Sequence, residues 1–223
     1  MLPDDPFAPP FLGFTPAAFA WFAGLERNNT KAWFDAHRPT FEDEVKAPLT
    51  RLLDDLAAEL GGAVKVFRQN RDIRFSKDKS PYKTNTYGVV RGIRPGFGLY
   101  VSVSAQGVMA GAGEYEIGPA RLEKLRQAIL DDGAGPALER ALADAERAGL
   151  PYAGDTLKTA PRGYPRDHPR IALLRLKQLL LMKRLPREKA EGQAPFDHAL
   201  WLWSTARPVL DWLEEHVGPG AEP

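Results

Sequence analysis

The chain has 223 residues, with 30 Lys and Arg against 29 Asp and Glu, so neither a polycationic nucleic-acid binder nor a strongly acidic chain is indicated. Cysteine is absent, which excludes disulfides, thiolate catalysis and cysteine-ligated zinc or iron-sulfur clusters. No apolar run approaches membrane-spanning length.

Four prolines fall in residues 1–10, read as a flexible tether; residues 11–217 read as a single α+β domain and 218–223 as a tail. No basic region followed by an apolar run opens the chain, so a soluble cytoplasmic protein is expected. Thr15 followed by Pro16 reads as an N-cap with proline at the first helical position, and Phe19, Phe22 and Ala23 make an apolar stripe. That helix should end between Gly24 and Asn29. KAWFDAHR reads as a short helix. Pro39 then starts a long one whose Phe41, Val45, Leu49, Leu52, Leu53, Leu56 and Leu60 keep helical spacing, with a kink or break expected at Pro48.

Gly61 and Gly62 stop this helix, and extended texture follows. Strands are expected over Val64–Phe75, Thr86–Arg94, Phe97–Ser104 and Val108–Gly111, with turns at Pro95-Gly96 and Gln106-Gly107, which makes an antiparallel meander the economical arrangement. Helical spacing returns from Pro119 to Leu130 and from Leu138 to Ala148. The run IALLRLKQLLLMKRL fits a helix, a helix then a strand, or a buried strand, and periodicity does not choose among them. Pro195 opens a last helix, with Pro208 inside it. The fold class is therefore α+β, a mostly antiparallel sheet covered by several helices.

Charge is segregated although it cancels overall. Residues 65–94 hold nine Lys or Arg and two Asp, and residues 158–189 ten Lys or Arg with one Asp and one Glu, so these segments carry +7 and +8 against −14 elsewhere. The densest stretch is RQNRDIRFSKDKSPYKTN, Arg68 to Asn85. On a regular strand, Arg68, Asn70, Asp72, Arg74 and Ser76 share a polar face, while Arg71 falls among Phe67, Ile73 and Phe75. There Arg71 requires a carboxylate partner, a bulge or a ligand. If that partner is buried, Arg71→Ala should cost about 3 to 5 kcal/mol. Arginine forks, the ammonium groups of Lys77, Lys79 and Lys83, and the hydroxyls of Ser76 and Tyr82 together suit the oxygens of a carboxylate or phosphate. The candidate ligand-binding residues are Arg68, Asn70, Arg71, Arg74, Ser76, Lys77, Lys79, Tyr82 and Lys83. Asp72 and His37 are the candidate acid or base groups.

Two further motifs matter. In NNTKAWFDAHR, Trp33 and Phe34 read as packing residues and Asn28 or Asn29 as a helix cap, while His37 and Arg38 could project toward the sheet. In PRGYPRDHPR, Gly163, Tyr164, His168 and Arg170 read as a proline-set turn covering the core, with one titratable group. Taken together, NRDIRFSKDKSPYKTN, GFTPAAFAWFAGLERNNTKAWFDAHR and PRGYPRDHP resemble a widespread bacterial family catalogued as a domain of unknown function, over about Phe11 to Val217. The resemblance implies an α+β domain and brings no activity, cofactor or catalytic residue.

Other sites are disfavoured. Gly111-Ala112-Gly113 has Glu116 where a dinucleotide fingerprint needs its third glycine, the four His show no HExxH spacing for a metal, and no GxSxG elbow occurs. Trp201, Trp203 and Trp212 read as core or as a dimer face. The expected function is binding of a small anionic or phosphorylated ligand in a basic pocket, with catalysis open. Its alternatives are nucleic-acid binding and a partner-binding protein whose sheet face is salt-bridged; no membrane partner is expected.

Overall fold

A computed structural model describes residues 10–220; residues 1–9 of the expected tether and 221–223 of the expected tail lie outside the described residues. The protein is α+β, with helices against an antiparallel sheet whose strands run in the order β1-β2-β3-β4-β6-β5. These are β1 (Ala63–Val66), β2 (Asn85–Arg94), β3 (Phe97–Ser104), β4 (Gly107–Glu114), β5 (Tyr152–Ala153) and β6 (Leu179–Pro186). The meander β2-β3-β4 turns at Pro95-Gly96 as expected, and at Ala105-Gln106, one residue before the expected Gln106-Gly107. Gly96 sits at φ +76, and a Cβ there would come within 2.0 Å of the Gly220 carbonyl oxygen, so the position demands glycine twice over. IALLRLKQLLLMKRL resolves as a helix then a strand, α7 (Ile171–Leu174) and β6. In β6 Leu179 and Leu181 are buried, and Tyr152 pairs with Leu181.

Backbone contacts cluster in two compact units, each built from several chain segments. The first comprises Met1–Val90, Val101–Met109 and Arg184–His198; the second comprises Arg91–Tyr100, Ala110–Lys183 and Ala199–Pro223. In the first unit, α1 (Pro16–Arg27) buries Phe19, Phe22 and Leu25. Thr15 occupies its N-cap, but its hydroxyl donates to Glu44 (2.5 Å) instead of closing the helix end. At the other end the Asn28 amide donates to the Gly24 carbonyl (3.2 Å). Gly24 is glycine for a packing reason, because a Cβ would meet the Trp33 indole at 2.6 Å.

The expected long helix is real but is not uniformly α. A short α3 (Arg38–Thr40) leads into a π-helical segment, Phe41–Lys46, and then α4 (Ala47–Leu60), which buries Leu49, Leu52, Leu53 and Leu56. Pro48 explains the irregularity. It lacks an N–H and its ring crowds the carbonyl four residues earlier, so the chain widens by one residue just before it, and the Ala47 N–H bonds the Glu42 carbonyl. The break expected at Pro48 is thus a change of helical pitch.

The second unit holds α5 (Pro119–Leu130), α6 (Ala134–Arg147), α7 and most of α8 (Ala194–Val217). Trp203 and Trp212 are core residues, and the Trp212 indole N–H donates to the Ala134 carbonyl (2.8 Å). The PRGYPRDHPR turn covers this core. Tyr164 donates to Glu123 (2.7 Å), His168 Nδ1 accepts from the Arg170 amide (3.0 Å), and Arg170 reaches the Ile129 carbonyl (2.8 Å) at the C-terminal end of α5. A guanidinium there complements the negative end of the helix dipole.

Candidate functional site

The expected strand Val64–Phe75 is a correction. β1 ends at Val66, and from Phe67 the chain forms a narrow finger. The Lys83 amide donates to the Gln69 carbonyl (3.0 Å), Asn70 bridges Tyr82, and the Arg71 amide donates to the Pro81 carbonyl (2.9 Å). Residues 69–71 therefore pair with 81–83, and 72–80 form the tip. Pairing the chain with itself replaces the regular alternation assumed from sequence, so the ladder Arg68, Asn70, Asp72, Arg74 does not exist as one face. Phe75, expected on the apolar face, is 96% exposed.

Internal hydrogen bonds hold the finger. Arg71 has the carboxylate partner it requires in Asp78, but the Asp78 side chain is 59% exposed, so the buried carboxylate expected there is absent. Arg71 also reaches the Ser76 hydroxyl (3.4 Å) and the Ser80 carbonyl (3.5 Å). Asp72 accepts from its neighbour Arg74 (2.7 Å), and Lys79 donates to the Ile73 carbonyl (3.0 Å). Hydrogen bonds from the Ser80 hydroxyl and amide, then from Arg71, hold the Asp78 carboxyl far below the usual carboxylate range. The Arg74 hydrogen bonds lower Asp72 as well.

At its base the finger is joined to the helices. Asn29 brackets Tyr82 as a strand partner would, its amide donating to the Tyr82 carbonyl (2.9 Å) and its side-chain carbonyl accepting from the Tyr82 amide (3.1 Å). Of the two expected caps, Asn28 caps the end of α1, and Asn29 holds Tyr82. Thr30, next in the chain, caps α2 (Lys31–Ala36) by accepting from the Trp33 amide (3.2 Å). The buried Gln69 amide is consumed within the base, donating to the Lys83 carbonyl and accepting from Thr86 (2.5 Å). Tyr82 stacks on Phe34 at 4.2 Å, and Arg38 stands 4.9 Å from the centre of the Phe34 ring.

Between this base and the π-helical segment lies a cleft of about 220 Å³ within the first unit. Its apolar walls are Phe34, Phe41, Val66 and Phe67, and its polar lining includes Arg38, Glu42, Lys46, Arg68, Asn70 and Tyr82. Lys46 is tied to Glu42 (2.7 Å) and Arg38 to Asp35 (2.8 Å). Arg68 makes no ion pair among the described residues. The lining thus carries three cations and one carboxylate.

The family model for a conserved hypothetical protein, DUF2461, matches residues 17–212. The chain belongs to the DUF2461 family. No curated protein and no solved structure matches it. In this DUF2461 protein three of the expected ligand-binding residues, Arg68, Asn70 and Tyr82, line the cleft. Lys83 lies beside it, donating to the Arg68 carbonyl (2.6 Å) and standing 4.7 Å from the centre of the Tyr87 ring. Burial first, and then Arg68, push its ammonium below its ordinary value.

The other expected residues do not line the cleft. Asp72, Arg74, Ser76, Lys77 and Lys79 belong to the finger tip, and Arg71 to the paired stretch just before it. His37 ends α2, stacked on Trp33 (4.1 Å) with Nδ1 on the Trp33 carbonyl (2.8 Å), while its own carbonyl accepts from the Trp21 indole (3.0 Å). Sequence reasoning missed Glu42 and Lys46. The available signal was their i,i+4 spacing, which reads as a solvated helix pair until the π segment aims them at the cleft.

Proposed function

We propose that the cleft binds a small anionic or phosphorylated ligand. One observation carries this reading: Arg38, Lys46 and Arg68 converge on a single aromatic-walled cleft, and Arg68 has no ion pair there. A guanidinium with its fork unoccupied can meet a carboxylate or phosphate with two parallel hydrogen bonds. The Asn70 amide and Tyr82 hydroxyl add neutral donors and acceptors. At about 220 Å³ the cleft is smaller than the ~300–1,000 Å³ that encloses a drug-sized molecule, which favours a compact ligand or one charged end of a larger one.

The test is a thermal-shift titration with inorganic phosphate, sugar phosphates and small carboxylates at low ionic strength. A bound anion raises the midpoint in proportion to its occupancy. Arg68→Ala, at an exposed residue with no ion pair among the described residues, should keep the wild-type midpoint without ligand and lose the shift with it. If no anion stabilises the wild type, the cleft is a packing feature.

A further inference from the structure

The finger has a feature that a cleft for a small anion does not use. Phe75, at its tip, is 96% exposed, yet the loop presenting it is not slack. Asp72 holds the Arg74 amide (3.2 Å) and guanidinium, the Ser76 amide donates to the Ile73 carbonyl (3.3 Å), Lys79 ties back to the same carbonyl (3.0 Å), and Arg71–Asp78 closes the loop at its neck. Backbone and side chains are thus engaged in keeping a phenyl ring in water, where it gains nothing by burial. Around it the charge is net positive: residues 68–83 hold six Lys or Arg and two Asp, a net +4, and both Asp are paired, Asp72 with Arg74 and Asp78 with Arg71. Lys77 makes no ion pair among the described residues, and Lys79 keeps two donors beyond its bond to Ile73.

We propose that this finger docks single-stranded nucleic acid, with Phe75 stacking against a base while Lys77 and Lys79 meet the flanking phosphates. The combination is the general one for binding a strand without reading its sequence: a π-face for any base beside ammonium groups for the backbone. An anionic membrane would also attract the charge, but one phenyl ring is a small apolar anchor. Its neighbour Ile73 is half-buried and Tyr82 is buried, so no apolar face adjoins it. A duplex would first have to be unstacked to admit the ring, whereas a single strand offers its bases freely.

The experiment is fluorescence anisotropy of the full chain with a labelled oligothymidylate of about 15 nucleotides, near the upper site size of a single-strand-binding fold. Phe75→Ala should weaken binding about 5- to 150-fold. Phe75→Trp should retain it, and Phe75→Leu, apolar but without a π-face, should resemble Phe75→Ala. Lys77→Ala should reduce the slope of log affinity against log salt by about 0.7, the contribution of one phosphate on a single strand. Equal affinity for wild type and Phe75→Ala overturns the proposal, as does absence of binding at low salt. So does Phe75-dependent binding that a duplex of the same length, or vesicles rich in phosphatidylserine, share or exceed. This reading and the cleft reading fail separately: the phosphate-induced thermal shift should be unchanged in Phe75→Ala.

Discussion

Two arginines in this protein each reach a carboxylate seven residues away, and the two pairs have opposite surroundings. In the second unit, Arg121 holds Glu114 (2.6 Å from its Nε) with side chains 17% and 5% exposed, and the same guanidinium donates to the carbonyls of Val217 (3.1 Å) and Gly218 (2.8 Å). In the finger, Arg71 holds Asp78 with side chains 27% and 59% exposed. The chemistry is shared, but water competes for only one of them. Where water is excluded, each charge relies on the other to offset the cost of its burial. Where water is present, the pair fixes a conformation and adds little to global stability.

The largest expected effect breaks the buried pair. Arg121→Ala leaves the Glu114 carboxylate nearly inaccessible, with Oε2 already lacking a partner among the described residues, and should cost about 3 to 5 kcal/mol in denaturant unfolding. Adding Glu114→Gln should recover part of that loss by removing the stranded charge. If Arg121→Ala unfolds at the wild-type midpoint, burial does not separate the two pairs.

Next is Asn29→Ala, which removes both hydrogen bonds holding Tyr82 at the finger's base and should cost about 1 to 3 kcal/mol by leaving backbone groups unpaired. Urea unfolding followed by tryptophan fluorescence measures it, and loss of anion binding alongside would tie the base to the cleft.

Arg71→Ala should leave the unfolding midpoint within experimental error, in place of the loss expected from an apolar strand face. Its effect should be local, as faster hydrogen exchange at Ser80 and faster proteolysis within 72–80. The conservative Asp72→Asn should change neither the midpoint nor, because the Asn side-chain carbonyl can still accept from the Arg74 amide, the exchange pattern.

The smallest effect is a pH dependence. Asp78 has its folded value depressed, so its contribution to finger closure is fully present above the ordinary carboxylate value near 3.9 and is lost as pH falls through the lower folded value. Protection of the Ser80 amide, bonded to Asp78 Oδ1 (2.9 Å), measured against its intrinsic exchange rate at each pH, should hold from neutral pH to about 4 and fall only below it.

The helices and the meander were legible because their signals are local. Thr15-Pro16 starts α1, the leucine spacing sets α4, and Pro95-Gly96 makes the turn that brings Phe97–Ser104 into register. The finger was not legible, because a strand predicted from alternation assumes a partner strand, whereas residues 69–71 pair with 81–83 of the same loop. That closure rests on Asn29, some fifty residues away in sequence, and no local pattern announces it. Half of the cleft was hidden for a related reason. Arg68, Asn70 and Tyr82 sit in a visibly basic motif, but Glu42 and Lys46 come from a helix expected to kink or break at Pro48, with no sign that it widens before it. Arg38 lay between: its motif was noticed, and its position over Phe34 was not.

The widened helical turn at Phe41–Lys46 makes the cleft sensitive to chain length. A π segment accommodates an extra residue while the helix continues. It also fixes the angular phase between what precedes it, including Arg38, and the leucine stripe of α4. Deleting one residue there, with the α4 leucines still anchored in the core, would turn the preceding segment by about 100° about the helix axis. The leucines would keep their seats while Arg38 swung away from the cleft. Point substitutions could redecorate the cleft, but a one-residue deletion would dismantle it and unseat Phe41 and Val45 with it, so insertions and deletions should be tolerated on either side of this segment more readily than within it.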